Sequence, residues 1–116
     1  MNGLYNTALG GLFAGSSMSG TYNVAIGAYA GNNMTTGNNN VYIGSYAVGN
    51  ANQDNQFSLG NVIYGSGMGT GGLTNGRVGI GTATPVTKLE VNGVLTVNPG
   101  AFGDAINFYN GYKIKT

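Results

Sequence analysis

Three carboxylates are the only acids in the chain: Asp54, Glu90 and Asp104. Hydrolysis of a glycosidic bond needs two carboxyl groups flanking it. These three fall in different segments, and only a multimer could pair copies from separate chains. The simpler alternative is three surface residues, with Glu90 beside Lys88 on a strand. There is no Cys and no His, so thiolate chemistry, disulfides, Cys/His zinc sites and His acid–base catalysis are excluded together. Gly67-Met68-Gly69-Thr70-Gly71-Gly72 fits G-x-G-x-x-G. A dinucleotide site would require that loop to open a helix, and "LTNGRVGIG" is not one. A flexible linker is the better reading. The turn "NANQDNQ" offers oxygen ligands suited to Ca²⁺, but one carboxylate is poor for affinity unless a symmetry axis collects several. The expectation is therefore no catalytic residue, no cofactor and no metal.

Other residues suggest recognition. Eight tyrosines could stack on sugar rings, or fill an interface between chains. Tyr22, Tyr29, Tyr42 and Tyr46 are the candidates for glycan or subunit contact. Asn33-Met34-Thr35 is a glycosylation sequon, of a kind that Asn- and Thr-rich repeats generate by chance. Thr82-Ala83-Thr84 is one threonine pair of the sort an ice-binding solenoid would need as a whole ladder.

The elements that carry these residues are repeats. "NTALGGLFAGSSMSGTY" (Asn6–Tyr22), "NVAIGAYAGNNMTTGNN" (Asn23–Asn39) and "NVYIGSYAVGNANQDNQ" (Asn40–Gln56) restate one 17-residue phrase. A degenerate copy begins near Asn55, where the spacing slips. Asn6, Asn23 and Asn40 open each phrase, and Gly10, Gly27 and Gly44 recur in phase. Within a phrase, Val24 and Ile26 alternate with Ala25 and Gly27, and Val41 and Ile43 repeat the pattern. That is a short strand with one aliphatic face. A second strand is expected around Ala28–Ala30 and Ser45–Ala47. Gly every few residues argues against helix.

A strand this short cannot bury its face alone; stacking equivalent coils does so. The expected fold is all-β, a β-solenoid or β-roll of ~17-residue coils over residues 1–64. Leu9, Val24, Ile26, Val41 and Ile43 are the expected coil core, and the Asn and Gly positions its corners. Asn23 and Asn40 would sit above one another and bond up the stack. Small outward residues, Ala25, Gly27 and Gly44, would let chains approach closely. A Gly-rich linker is expected over 65–76 and a hairpin-rich β junction over 77–116. Asn92-Gly93 and Asn110-Gly111 would be its turns. The tail reads as the start of a further β unit that has been cut.

Charged residues are 6% of the chain and the formal net charge is +1. Nucleic acid and anionic membrane both want clustered Lys and Arg, so neither is an expected partner. No run approaches the ~20 apolar residues of a membrane span, and no basic n-region of a signal peptide is visible. So thin a core is marginal for a single small chain, which makes self-association the expected remedy.

The phrase "NVAIGxxAGxxxTTGNNNVYIGxxA" resembles the head repeats of trimeric autotransporter adhesins and the shaft repeats of phage tail fibres and tailspikes. "GNVIYGSGMGTG" followed by "VGIGTATPVTKLEVNG" is similar to the segment that precedes a C-terminal chaperone domain in many fibre proteins. The resemblance spans about residues 5–97. It implies an intertwined homotrimeric fibre on a virion or bacterial surface that attaches to a host-surface glycan or protein receptor. The implied function is the shaft or receptor-binding segment of a phage tail fibre or tailspike. A bacterial adhesin is the next alternative, and a glycan-degrading spike or ice-binding solenoid a further one. Two departures stand out: adhesin head repeats are usually shorter than 17 residues, and no chaperone domain with its self-cleavage site is present in this sequence.

Overall fold

The structure, a computed structural model, describes residues 3–67 and 76–97. It is all-β: β1 (Thr7–Leu9), β2 (Val24–Ile26), β3 (Val41–Ile43), β4 (Gln56–Leu59), β5 (Ile63–Ser66), β6 (Arg77–Ile80) and β7 (Leu89–Val91). The seven strands form one sheet in chain order. β1 to β4 pair in parallel, each strand one circuit of a β-solenoid above the last. The register advances by 17 residues from Thr7 to Val24 to Val41, then by 16 from Val41 to Phe57.

The chain then reverses. Gly60 and Asn61 both adopt φ of 57°, the mirror-image turn geometry whose twist suits a hairpin. β5 returns antiparallel to β4, β6 runs antiparallel to β5, and β7 is parallel to β6. One sheet thus crosses the expected boundary at residues 64 and 65. The hairpin expected at Asn92-Gly93 is absent among the described residues: β7 ends at Val91, and 94–97 form no strand. The signal for the real hairpin was Gly60-Asn61, hidden inside what reads as a decayed repeat. Residues 68–75 and the Asn110-Gly111 turn lie outside the described residues.

The strand alternation has the opposite sense to the expected one. Ala25, Tyr42 and Ser58 face the coil interior and are fully buried. Val24, Ile26, Val41 and Ile43 face outward and are half-buried or exposed, and Leu9 is 65% exposed. The coil core is Ala25, Ala30 and Ala47 with Met18, Met34 and Tyr42. The physical reason is volume. The lumen of a 17-residue circuit is filled by alanines together with Met18, Met34 or the Tyr42 ring, which leaves no room for two columns of branched side chains. In the third coil the position equivalent to Met34 is the exposed Ala51. The Tyr42 side chain lies against Gly31 of the second coil and Gly49 of the third: a Cβ on Gly31 would stand 3.2 Å from the ring, and one on Gly49 2.8 Å from the hydroxyl oxygen.

Corners are held by two kinds of column. At the first, Asn6 Oδ1 accepts from the Asn23 N–H, Asn23 Oδ1 from the Asn40 N–H, and Asn40 Oδ1 from the Gln56 N–H, at 2.8 to 2.9 Å. Their amide nitrogens donate to the carbonyls of Gly20, Gly37 and Gln53. The stack therefore runs from side chain to backbone, not amide to amide. At the second, Gly10, Gly27 and Gly44 pack backbone on backbone: a Cβ on Gly27 would stand 2.7 Å from the Gly44 carbonyl carbon. The segments 28–30 and 45–47, expected as strands, are turns. They still bond coil to coil, Tyr46 N–H to the Ala28 carbonyl and Gly31 N–H to the Ala47 carbonyl.

Candidate functional site

Turning the aliphatic face outward gives the molecule its most extended surface feature. Each strand contributes one residue to each of two rows. One row is Leu9, Ile26, Ile43, Leu59, Ile63, Ile80 and Val91 in successive register. The other runs Thr7, Val24, Val41, Phe57, Gly65, Val78 and Leu89. The rows hold their phase through the chain reversal at β4–β5, where a one-residue slip would have turned every side chain to the other face. At the one gap, Gly65, the Phe57 ring covers the strand, and a Cβ there would fall 2.0 Å from it. Leu9, Leu89, Ile43, Leu59 and Ile80 are all exposed.

Flanking the rows are aromatic columns at coil corners. Tyr5 and Tyr22 stack with ring centroids 5.0 Å apart, and Tyr29 and Tyr46 at 4.6 Å, with Phe13 tilted on Tyr29 at 5.5 Å. All five hold φ between 56° and 61°, a left-handed conformation that is unusual for bulky residues. Asn and Gly were the residue types expected at such corners. Asn39 and Asn55 take over the Tyr5–Tyr22 column in the later coils, at φ of 55° and 61°. Because the rings stack on one another, they present edges rather than faces to solvent, which is a poor platform for a sugar ring. Of the four tyrosines expected as contacts, Tyr22 and Tyr46 are exposed and Tyr29 is half-buried in its column. Tyr42 is a correction: it is buried in the coil core, and burial raises its hydroxyl pKa well above the ordinary tyrosine value.

The two acids among the described residues are engaged by different neighbours. Asp54 Oδ1 accepts from the backbone N–H and side-chain amide of Asn38. Glu90 Oε2 accepts from the Val86 N–H at 2.7 Å. Asp104 lies outside the described residues. In the "NANQDNQ" turn the oxygens are engaged by neighbours: Asn52 Oδ1 accepts from Thr35, Asn55 Oδ1 from Asn39, and Gln56 Oε1 from the Asn50 N–H. Among the described residues no group of three or more acids could hold a metal. The Asn33 side-chain nitrogen of the sequon donates to the Gly49 carbonyl at 2.7 Å, so the atom a glycan would need is engaged. Thr82 and Thr84 sit in a bend, the Thr84 N–H directed at Thr82 Oγ1, and form no ladder.

Sequence reading identified the rows but assigned them inward. The signal that could have corrected it was Ser58 and Tyr42 in the alternate positions, since a polar and a large residue in register with Ala25 mark a column under different demands from the aliphatic one. No protein-family model, no curated protein and no solved structure matches this chain.

Proposed function

We propose that the protein is a structural and attachment protein, a subunit of a homotrimeric fibre of the phage tail-fibre or tailspike kind, and not an enzyme. The observation that carries this reading is the pair of outward aliphatic rows, continuous over seven strands and half-buried to exposed in a single chain. Fully burying one such side chain is worth about 1.5–3 kcal/mol. A contiguous apolar face of this extent marks an interaction surface. Three copies set with this face toward a common axis would bury it and build the central core that the narrow coils lack. The near absence of charge on these rows agrees with a dry contact between like chains, where repulsion would otherwise accumulate. The resemblance of the repeat phrase to fibre shafts supports the threefold choice. The role is mechanical: a stiff, uncharged rod holding receptor-binding groups at the host surface, where repeated weak contacts add up by multivalency.

Light scattering tests this directly. One chain is 11.7 kDa. A threefold mass that survives SDS without boiling is the expected result. A mass of one or two chains overturns the homotrimer.

A further inference from the structure

We infer that the cleft where the 50–53 turn meets β5 and β6 is a binding site for a carboxylate-bearing sugar, an inference that rests on the attachment reading above and names its ligand class. The cleft is open and has a volume of about 340 Å³, at the small end of ligand pockets and enough to seat one sugar residue. Arg77 and Ser66 are register partners on the inner side of the sheet, the side opposite the aliphatic rows. The cleft would therefore stay open when those rows are covered.

Its groups are of the right kind. Arg77 is the cation in its lining, and among the described residues its side chain meets one acceptor, the Pro85 carbonyl, at a long 3.3 Å. A guanidinium has five donors in a fork that matches a carboxylate. Gln53, Ser66 and Thr84 also line the cleft, residues whose amide and hydroxyl groups are complementary to the hydroxyls of a sugar ring. Pro85 and Ala83 give an apolar wall for the ring's C–H face, and Asn50 Nδ2 anchors that wall through the Ala83 carbonyl. Glu90 holds the adjacent Val86 N–H and brings negative charge to the same wall. With Arg77 the single cation in the lining, the cleft suits a monoanion better than a phosphate dianion, which would want more cations. The rest of the ligand must then be neutral and hydroxylated, as in a uronic acid.

The test is an amide NMR titration of the whole chain with sodium glucuronate, run beside glucose, sodium acetate and inorganic phosphate. Saturable shifts at Ser66, Arg77, Thr84 and Val86, with glucuronate binding tighter than the other three probes, are expected. Arg77→Gln should weaken binding by about tenfold or more, the loss of a charge-assisted pair. Gln53→Glu, at an exposed side chain, should weaken it similarly by placing a second negative charge at the mouth. The thermal transition of each variant checks that the fold is kept. Equal binding of glucose or acetate, tighter binding of phosphate, shifts confined to the tyrosine columns, or undiminished affinity in a folded Gln53→Glu chain would each overturn the inference. A threefold mass without glucuronate binding removes this site and leaves the fibre, whereas a single-chain mass with binding does the reverse.

Discussion

The coils from β1 to β4 and the folded-back strands from β5 to β7 share one sheet but solve different problems with its two faces. In the coils the inner face is closed: Ala25, Tyr42, Ser58 and the asparagine column are buried beneath their own circuit. In β5–β7 the inner face carries Tyr64, Ser66, Arg77, Gly79 and Glu90, and part of it opens into a cleft. The outer face is the same throughout, two aliphatic rows in unbroken register. A feature that persists while the architecture beneath it changes from parallel circuit to antiparallel hairpin is not required by either architecture alone, and the assembly proposed above would account for it. That contrast is the strongest physical support for an assembly made through this face.

The largest expected effects probe the closed half. Gly27→Ala puts a methyl group 2.7 Å from the Gly44 backbone at φ 121°, where nothing flexible can yield. The coils must separate, and loss of a cooperative thermal transition is expected. Asn23→Ala leaves the Asn40 N–H and the Gly37 carbonyl without their buried partners, at about 1–3 kcal/mol for each group. Its melting temperature should fall by several degrees or more. The matching change in the other half, Asn92→Ala, removes one exposed contact to the Gly81 carbonyl at 3.3 Å. It should leave the transition almost unmoved. Equal losses in the two halves would mean that the asparagine column is not what holds the coils.

Adjacent residues separate the two faces more sharply. Ala25→Asn forces a polar side chain into the narrow lumen and should abolish folding. Ile26→Asn, one residue on, points outward. It should leave the far-ultraviolet circular dichroism of a folded chain while dropping the scattering mass toward a single subunit. If Ile26→Asn unfolded the chain as Ala25→Asn does, the outward assignment would fail.

How far the sequence could be read follows from these same residues. The period, the all-β class and the stacked asparagines are legible because each repeats at 17-residue spacing, and repetition is a local signal. The sense of the alternation is not legible, because strand periodicity says that Val24 and Ala25 differ in face without saying which face is wet. The rule that aliphatic residues go inside presumes one chain with one core. Here the lumen is already filled by alanines, methionines and the Tyr42 ring, and the larger apolar surface faces outward. The cleft was equally hidden, since Asn50, Gln53, Ser66, Arg77 and Thr84 meet only through the reversal at Gly60-Asn61.

The smallest effect comes from Tyr42, which the closed half buries completely. Its hydroxyl is buried without a hydrogen-bond partner among the described residues, and an unsatisfied buried polar group costs about 1–3 kcal/mol. Tyr42→Phe removes that group and keeps the ring that fills the third coil. The variant should be as stable as the parent or slightly more so. The pH dependence follows with a definite sign. Burial raises the folded-state pKa of Tyr42, while the unfolded chain titrates near the ordinary tyrosine value of about 10. Below about pH 10 both states hold the proton and stability is unaffected. Above it the unfolded state releases the proton first, so stability falls as pH rises. Thermal melts from pH 8 to 11 should show the parent losing stability above about pH 10 more steeply than Tyr42→Phe. Parallel curves would mean that the hydroxyl reaches water, and that the third coil is less closed than the first two.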